Sequence, residues 1–190
     1  MSTSKPPRVH PTAEVHPDAK IGEGSSIWNW AQVRENVTIG ADCIISKGVY
    51  VDAGVEIGRA CKVQNNVSLF NGVQLEDGVF IGPHVCFTND MLPRAVEPDG
   101  TPKSAADWVV SKTRVCSGAA IGANSTIRCG ITLGEWSMVA AGSVVTRDVC
   151  PNTLVQGNPA RPQGVVCRCG ALYRGHSNLP ETCSACGQKN

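Results

Sequence analysis

The sequence predicts an all-β fold: a parallel β-helix built from six-residue repeats, with one long inserted loop and a small cysteine-rich C-terminal tail. Three observations predict it. Large apolar residues recur every six positions from Val9 to Phe87, the phase breaks and resumes at Val115, and residues 164–190 hold two close cysteine pairs.

Residues 1–8 precede the pattern and are expected to be flexible. From there Val9, Val15, Ile21, Ile27, Val33, Ile39, Ile45, Val51, Ile57, Val63, Leu69, Leu75, Ile81 and Phe87 stand six apart. Small or branched residues, among them Ala13, Ala19, Ser25, Ala31, Cys43 and Cys61, sit two positions ahead of them. Helices repeat at 3.6 and flat strands at 2, so neither suits a period of six. A short strand and a bend in every hexad does, with the large residue inward and the small one in the corner. Gly22, Gly40 and Gly58, eighteen apart, indicate three hexads per coil and a triangular section. They are expected at bends where other residues would be strained. Coils then stack at about 4.8 Å around one column of Ile, Val and Leu.

The step from Phe87 to Val115 is 28 residues, not a multiple of six, so residues 88–114 must leave the coil as a loop. Long loops in compact domains tend to be functional. Val115, Ile121, Ile127, Leu133, Val139 and Val145 continue the phase, and residues 9–163 form the β-helix domain.

Composition narrows the function. A formal net charge of +1 over 190 residues gives no electrostatic footprint for nucleic acid or a membrane surface. No apolar run approaches a membrane span, and MSTSKPPRVHP lacks the apolar segment of a signal peptide, so a cytoplasmic protein is expected. Of the ten cysteines, Cys43 and Cys61 fall on inward positions, and they are read with Cys86, Cys116, Cys129 and Cys150 as packing residues. The tail differs. Cys167, Cys169, Cys183 and Cys186 form two pairs, each followed by glycine, that could place four thiolates around one structural zinc, giving a ribbon-like unit over 164–190. Reduced thiols or a disulfide are the alternative. His176, between the pairs, reads as an exposed turn residue.

Coil arithmetic also gathers polar residues. His84 lies eighteen after Asn66, and if the loop preserves register, Asn124 comes above His84. Such an Asn66–His84–Asn124 ladder, with Asn65 beside it, could serve chemistry or only stack between coils. Asn89 and Asp90 stand where the loop departs, a position that favours Asn and Asp in any case.

The hexads, the loop segment KVQNNVSLFNGVQLEDGVFIGPHVCFTNDMLPRA and the closing QGNPARP resemble the hexapeptide-repeat acyltransferases, in particular enzymes that acetylate the 3-amino group of nucleotide-linked sugars in bacterial surface polysaccharide (lipopolysaccharide) synthesis. The resemblance covers about residues 8–163. It implies a left-handed helix, a homotrimer with sites between subunits, and acetyl-CoA as donor to a dTDP- or UDP-linked amino sugar. It favours Asn89 as a contact to the sugar amine, with Arg94 near sugar or phosphate. Acetyl transfer to an amine needs a neutral amine, a donor aimed at the developing oxyanion and close alignment. His84 could accept the amine proton or orient substrate. Small residues at Gly118, Ala119, Ala140, Ala141 and Gly142 would admit a pantetheine arm, Arg147 and Arg161 would meet its phosphates, and Pro159 and Ala160 lie in the segment beside the adenine. Transfer to a sugar hydroxyl and a non-catalytic trimeric scaffold are the alternatives. A zinc carbonic anhydrase is disfavoured, because His10, His16 and His84 fall on distant coils.

Overall fold

The structure, a computed structural model, describes residues 5–104 and 106–189. Residues 1–4 of the segment expected to be flexible lie outside these. Lys5 already packs, its carbonyl accepting the Gly24 N–H at 2.7 Å, and Arg8–Val9 is the first rung.

The described residues form an all-β parallel solenoid with no helix, hence none long and apolar enough to cross a membrane. Nearly every hexad supplies a two-residue strand, and each strand pairs in parallel with those one coil away. Ser26–Ile27 thus pairs with Ile44–Ile45, which pairs with Lys62–Val63. Three sheets result, of ten, seven and six strands. They are called here the first, second and third face, after the order in which Arg8–Val9, Glu14–Val15 and Lys20–Ile21 open them.

Inside runs the predicted column: Ile27, Ile45, Val63, Ile81, Ile121 and Val139 on the first face are all at most 1% exposed. Val9, at the open end, remains 42% exposed because no coil covers it. Cys43 and Cys61 are fully buried, each thiol donating to a carbonyl of the next coil at 3.0 Å. Cys150 is exposed, so packing does not account for it.

The bends need a correction. Gly22, Gly40 and Gly58 do not have the left-handed φ that would make other residues strained; they are glycine because the next coil passes too close. A Cβ on Gly40 would lie 2.7 Å from the carbonyl carbon of Gly58. The left-handed positions come two residues later and are filled by Gly, Asn, Asp and, in a few coils, others: Asn66 (φ 57°), His84 (59°), Asn124 (57°) and Gly142 (70°) mark one corner.

Register survives the loop. Ile81 pairs with Ile121, and Val73–Leu75 pairs with the returning Thr113–Val115. The Asn89 carbonyl accepts the Ser111 N–H at 3.1 Å and closes the base, while the tip turns back through a Val96–Pro102 bridge. Arg114 and Glu76 pair across the re-entry, Nε to Oε1 at 2.6 Å, and Ser117 donates its N–H and hydroxyl to Glu76 Oε2, both at 2.9 Å.

After the last coil the chain reverses. Thr153–Gly157 pairs antiparallel with Ala160–Val166, and that strand with Leu172–Arg174. The tail is therefore joined to the first face by continuous hydrogen bonding, and its opening strand crosses the 163/164 boundary drawn from the sequence.

Candidate functional site

The corner between the first and second faces carries His84. Its N–H donates to Asn65 O, and Asn124 N–H to Pro83 O, both at 2.9 Å, so Asn66, His84, Asn124 and Gly142 stand one coil apart in a line. All four are exposed. Among the described residues nothing hydrogen-bonds the His84 imidazole, which leaves both ring nitrogens for a ligand or a second chain. Asn66 leans away from it, over Gly48.

Ala140 and Ala141 lie on the same corner beside Gly142, with open space where its side chain would be. A thin ligand laid along this corner would run from Gly142 to His84 over two coils, about 10 Å. Gly118 and Ala119 do not join this line. They occupy the corner between the third and first faces, where Trp136 covers Gly118 and Ala119 is 1% exposed, so only its backbone could meet a ligand.

A groove of about 690 Å³ opens where the loop leaves the second face. It brings together Asn89, Asp90 and Arg94 with Asp52, Phe70, Lys103 and Trp108. Asp52 is locked in place: Tyr50 donates its hydroxyl to Oδ1 at 2.9 Å, Ala53 N–H donates there at 2.8 Å, and Asn71 N–H reaches Oδ2 at 3.2 Å. Burial, then the bond to Asp52, raises the Tyr50 phenol above its ordinary range. Asp52 and Phe70 escaped the sequence reading although their signal was present: they stand eighteen apart, one residue after the inward Val51 and Leu69. His84 does not line the groove. Asn89 lies five positions further along the second face, up to about 16 Å of extended chain.

At the C-terminal end, a second cavity of about 850 Å³ gathers Arg147, Ala160 and Arg161 with Arg174 and His176, which the sequence reading had not assigned to a ligand. Pro159 lies next to it in the Gly157–Ala160 turn.

The four tail cysteines converge. Their sulfurs lie within 4.8 Å of one another, with Cys169–Cys183 at 3.7 Å and Cys167–Cys186 at 3.9 Å. A tetrahedron with metal–sulfur bonds of about 2.3 Å has edges of about 3.8 Å, whereas a disulfide needs about 2.05 Å. The donor set thus fits zinc. Tyr173 donates its hydroxyl to Cys183 Sγ at 3.2 Å and, with backbone N–H groups of the second knuckle, brings that thiol down to about 6, favouring the thiolate a metal requires.

Comparison with known proteins fits this architecture. The family described as bacterial transferase hexapeptide (six repeats) matches residues 18–53, and the hexapeptide repeat of succinyl-transferase matches residues 116–147. Residues 18–53 and 116–147 thus match hexapeptide-repeat families. Over 78 residues the chain is 46% identical to, and a homologue of, the dTDP-3-amino-3,6-dideoxy-alpha-D-galactopyranose 3-N-acetyltransferase of Aneurinibacillus thermoaerophilus, a stretch that is 41% of this chain and 40% of that protein. It is 38% identical to serine acetyltransferase 2 of Arabidopsis thaliana over 85 residues, 44% of this chain and 25% of that one. The chain therefore spans well under half the length of these relatives. Among solved structures it resembles a GDP-perosamine N-acetyltransferase of Caulobacter crescentus in complex with CoA and GDP-perosamine. The TM-score is 0.54 at 22% identity, over 85% of this chain and 58% of that one, a likeness of fold.

Proposed function

We propose that this protein is an acetyl-CoA-dependent N-acetyltransferase acting on the amino group, at C3, of a dTDP- or UDP-linked amino sugar. It would work as a cytoplasmic homotrimer in bacterial surface polysaccharide synthesis. The observation that carries the reading is the 46% identity to a dTDP-3-amino-sugar 3-N-acetyltransferase. The geometry supports it: a corner clear enough for a thin cofactor arm, ending on an unpartnered imidazole, and a separate groove with an asparagine, carboxylates and cations. Because His84 and the groove lie apart on one chain, a site in which the two come from neighbouring subunits suits them better than a site within one.

In this reading the amine attacks the thioester carbonyl carbon, the carbon–sulfur bond breaks, and coenzyme A leaves as its thiolate. The amine proton passes to His84 or to solvent and returns to the thiolate. A sugar amine is partly neutral at working pH, so alignment by Asn89, Asp90 and Arg94, with Asn65, Asn66 and Asn124 along the corner, carries most of the work. Zinc on Cys167, Cys169, Cys183 and Cys186 would be structural, folding a tail too short to fold by apolar burial alone.

The test is thiol release from acetyl-CoA against a panel of dTDP- and UDP-linked 3-amino sugars and their hydroxyl analogues. Amines should react and hydroxyls should not; the reverse outcome would establish O-acyl transfer and end the N-acyl assignment.

A further inference from the structure

The C-terminal cavity is walled partly by the last coil, Val145–Cys150, and partly by the tail. Three arginines enter it, Arg147, Arg161 and Arg174, with His176. Among the described residues no ion pair engages any of the three. Arg161 donates to the carbonyl of Ala160 at 2.9 Å and Arg174 to Gln156 Oε1 at 3.1 Å, both neutral acceptors. Among the described residues the wall holds one carboxylate, Asp148, which already accepts the Thr132 N–H at 2.8 Å. Such unneutralised cations around a concave site call for a polyanion.

Arg174 and His176 are placed by the cysteine cluster. Between them and the sulfurs stands Tyr173, whose hydroxyl donates to Cys183 Sγ and accepts the Ser184 N–H at 3.1 Å, while its ring meets His176 edge-on at 6.1 Å between centroids. Strand Leu172–Arg174 is itself pinned to Ala160–Val166, and Gly175 N–H donates to Gln163 O at 2.8 Å.

We propose that the cysteine tail is part of the cofactor site: Arg174 and His176, held through Tyr173 by the four-cysteine cluster, join Arg147 and Arg161 in binding the phosphates at the nucleotide end of coenzyme A. The inference rests on acetyl-CoA being the donor. Both substrates carry nucleotide phosphates, and position favours coenzyme A. The cavity begins at Val145, in the coil of Gly142, so a cofactor anchored there would point along the corner toward His84.

Calorimetric titration of the full chain with CoA, 3′-dephospho-CoA, dTDP and UDP tests this. Arg174→Ala and His176→Ala, both at exposed positions, should each weaken CoA about tenfold, shrink the preference for CoA over its dephospho form, and leave dTDP and UDP unchanged. Protein stripped of metal by a chelator, its solenoid monitored by circular dichroism, should lose CoA affinity similarly. Unchanged CoA binding in both variants overturns the proposal. Loss of dTDP or UDP binding instead gives the cavity to the sugar nucleotide and overturns it equally. If the unaltered chain binds no CoA, the donor assignment itself fails.

Discussion

His84 keeps a backbone conformation that costs most side chains on the order of 1 kcal/mol, and does so at a corner where the coils on either side use asparagine, which tolerates it better. Replacing His84 with asparagine therefore removes the imidazole while sparing the corner. We expect His84→Asn to melt at the unaltered temperature yet to lower the rate at neutral pH by up to about 10²-fold, the low end for a general base, with partial recovery at higher pH as more amine becomes neutral. Asn89→Ala should instead raise KM for the amino sugar about tenfold at every pH, because what it loses is positioning. Normal rates in both variants, or unfolding in either, would show that these residues serve the architecture.

The solenoid bears two kinds of glycine, and they should respond differently to substitution. A Cβ on Gly40 meets the backbone of the next coil, so Gly40→Ala should cost about 1–3 kcal/mol in a denaturant melt. Gly54 has φ 70° and only Asn71 Nδ2 nearby at 3.6 Å, so Gly54→Asn should change stability by less than about 0.5 kcal/mol. The loop's return is stapled by Glu76. Burial pushes its carboxyl up, but the bonds from Ser117 and Arg114 outweigh this and hold it below its ordinary 4.5. A depressed folded pKa contributes stability above the unfolded value and loses it as pH falls through the folded one. Glu76→Gln should accordingly melt lower than the unaltered protein at pH 7, by about 1 kcal/mol, with the gap closing below about pH 4. An unchanged gap at pH 3 would mean the staple acts through packing alone.

For the whole molecule, a homotrimer of 20.0 kDa chains has a mass of about 60 kDa, which light scattering would read directly. Metal analysis should find one zinc per chain and none after Cys169→Ser with Cys186→Ser, both exposed positions, while the solenoid keeps its β spectrum because its column is complete without them. Zinc retained by that variant would sink the four-cysteine assignment. The hexad period by itself determined the coil, the inward column and the point at which the phase breaks, whereas the structure decided that the loop ends early, with Thr113–Val115 already a strand, and that register survives it to put Asn124 over His84. The close spacing of the tail cysteines, independent of that period, brought the four into view as two pairs. Only the tertiary structure decided what each corner demands. The glycines at 22, 40 and 58 answer to the neighbouring coil, and Gly118 sits beneath Trp136 away from the His84 line. The period stacks Asp52 under Phe70, but that the loop closes a groove over them and that Arg147 and Arg174 share a cavity lay beyond it, since a repeat fixes where a residue stands on a coil, whereas a loop or an antiparallel return folds back over coils at a distance the repeat does not encode.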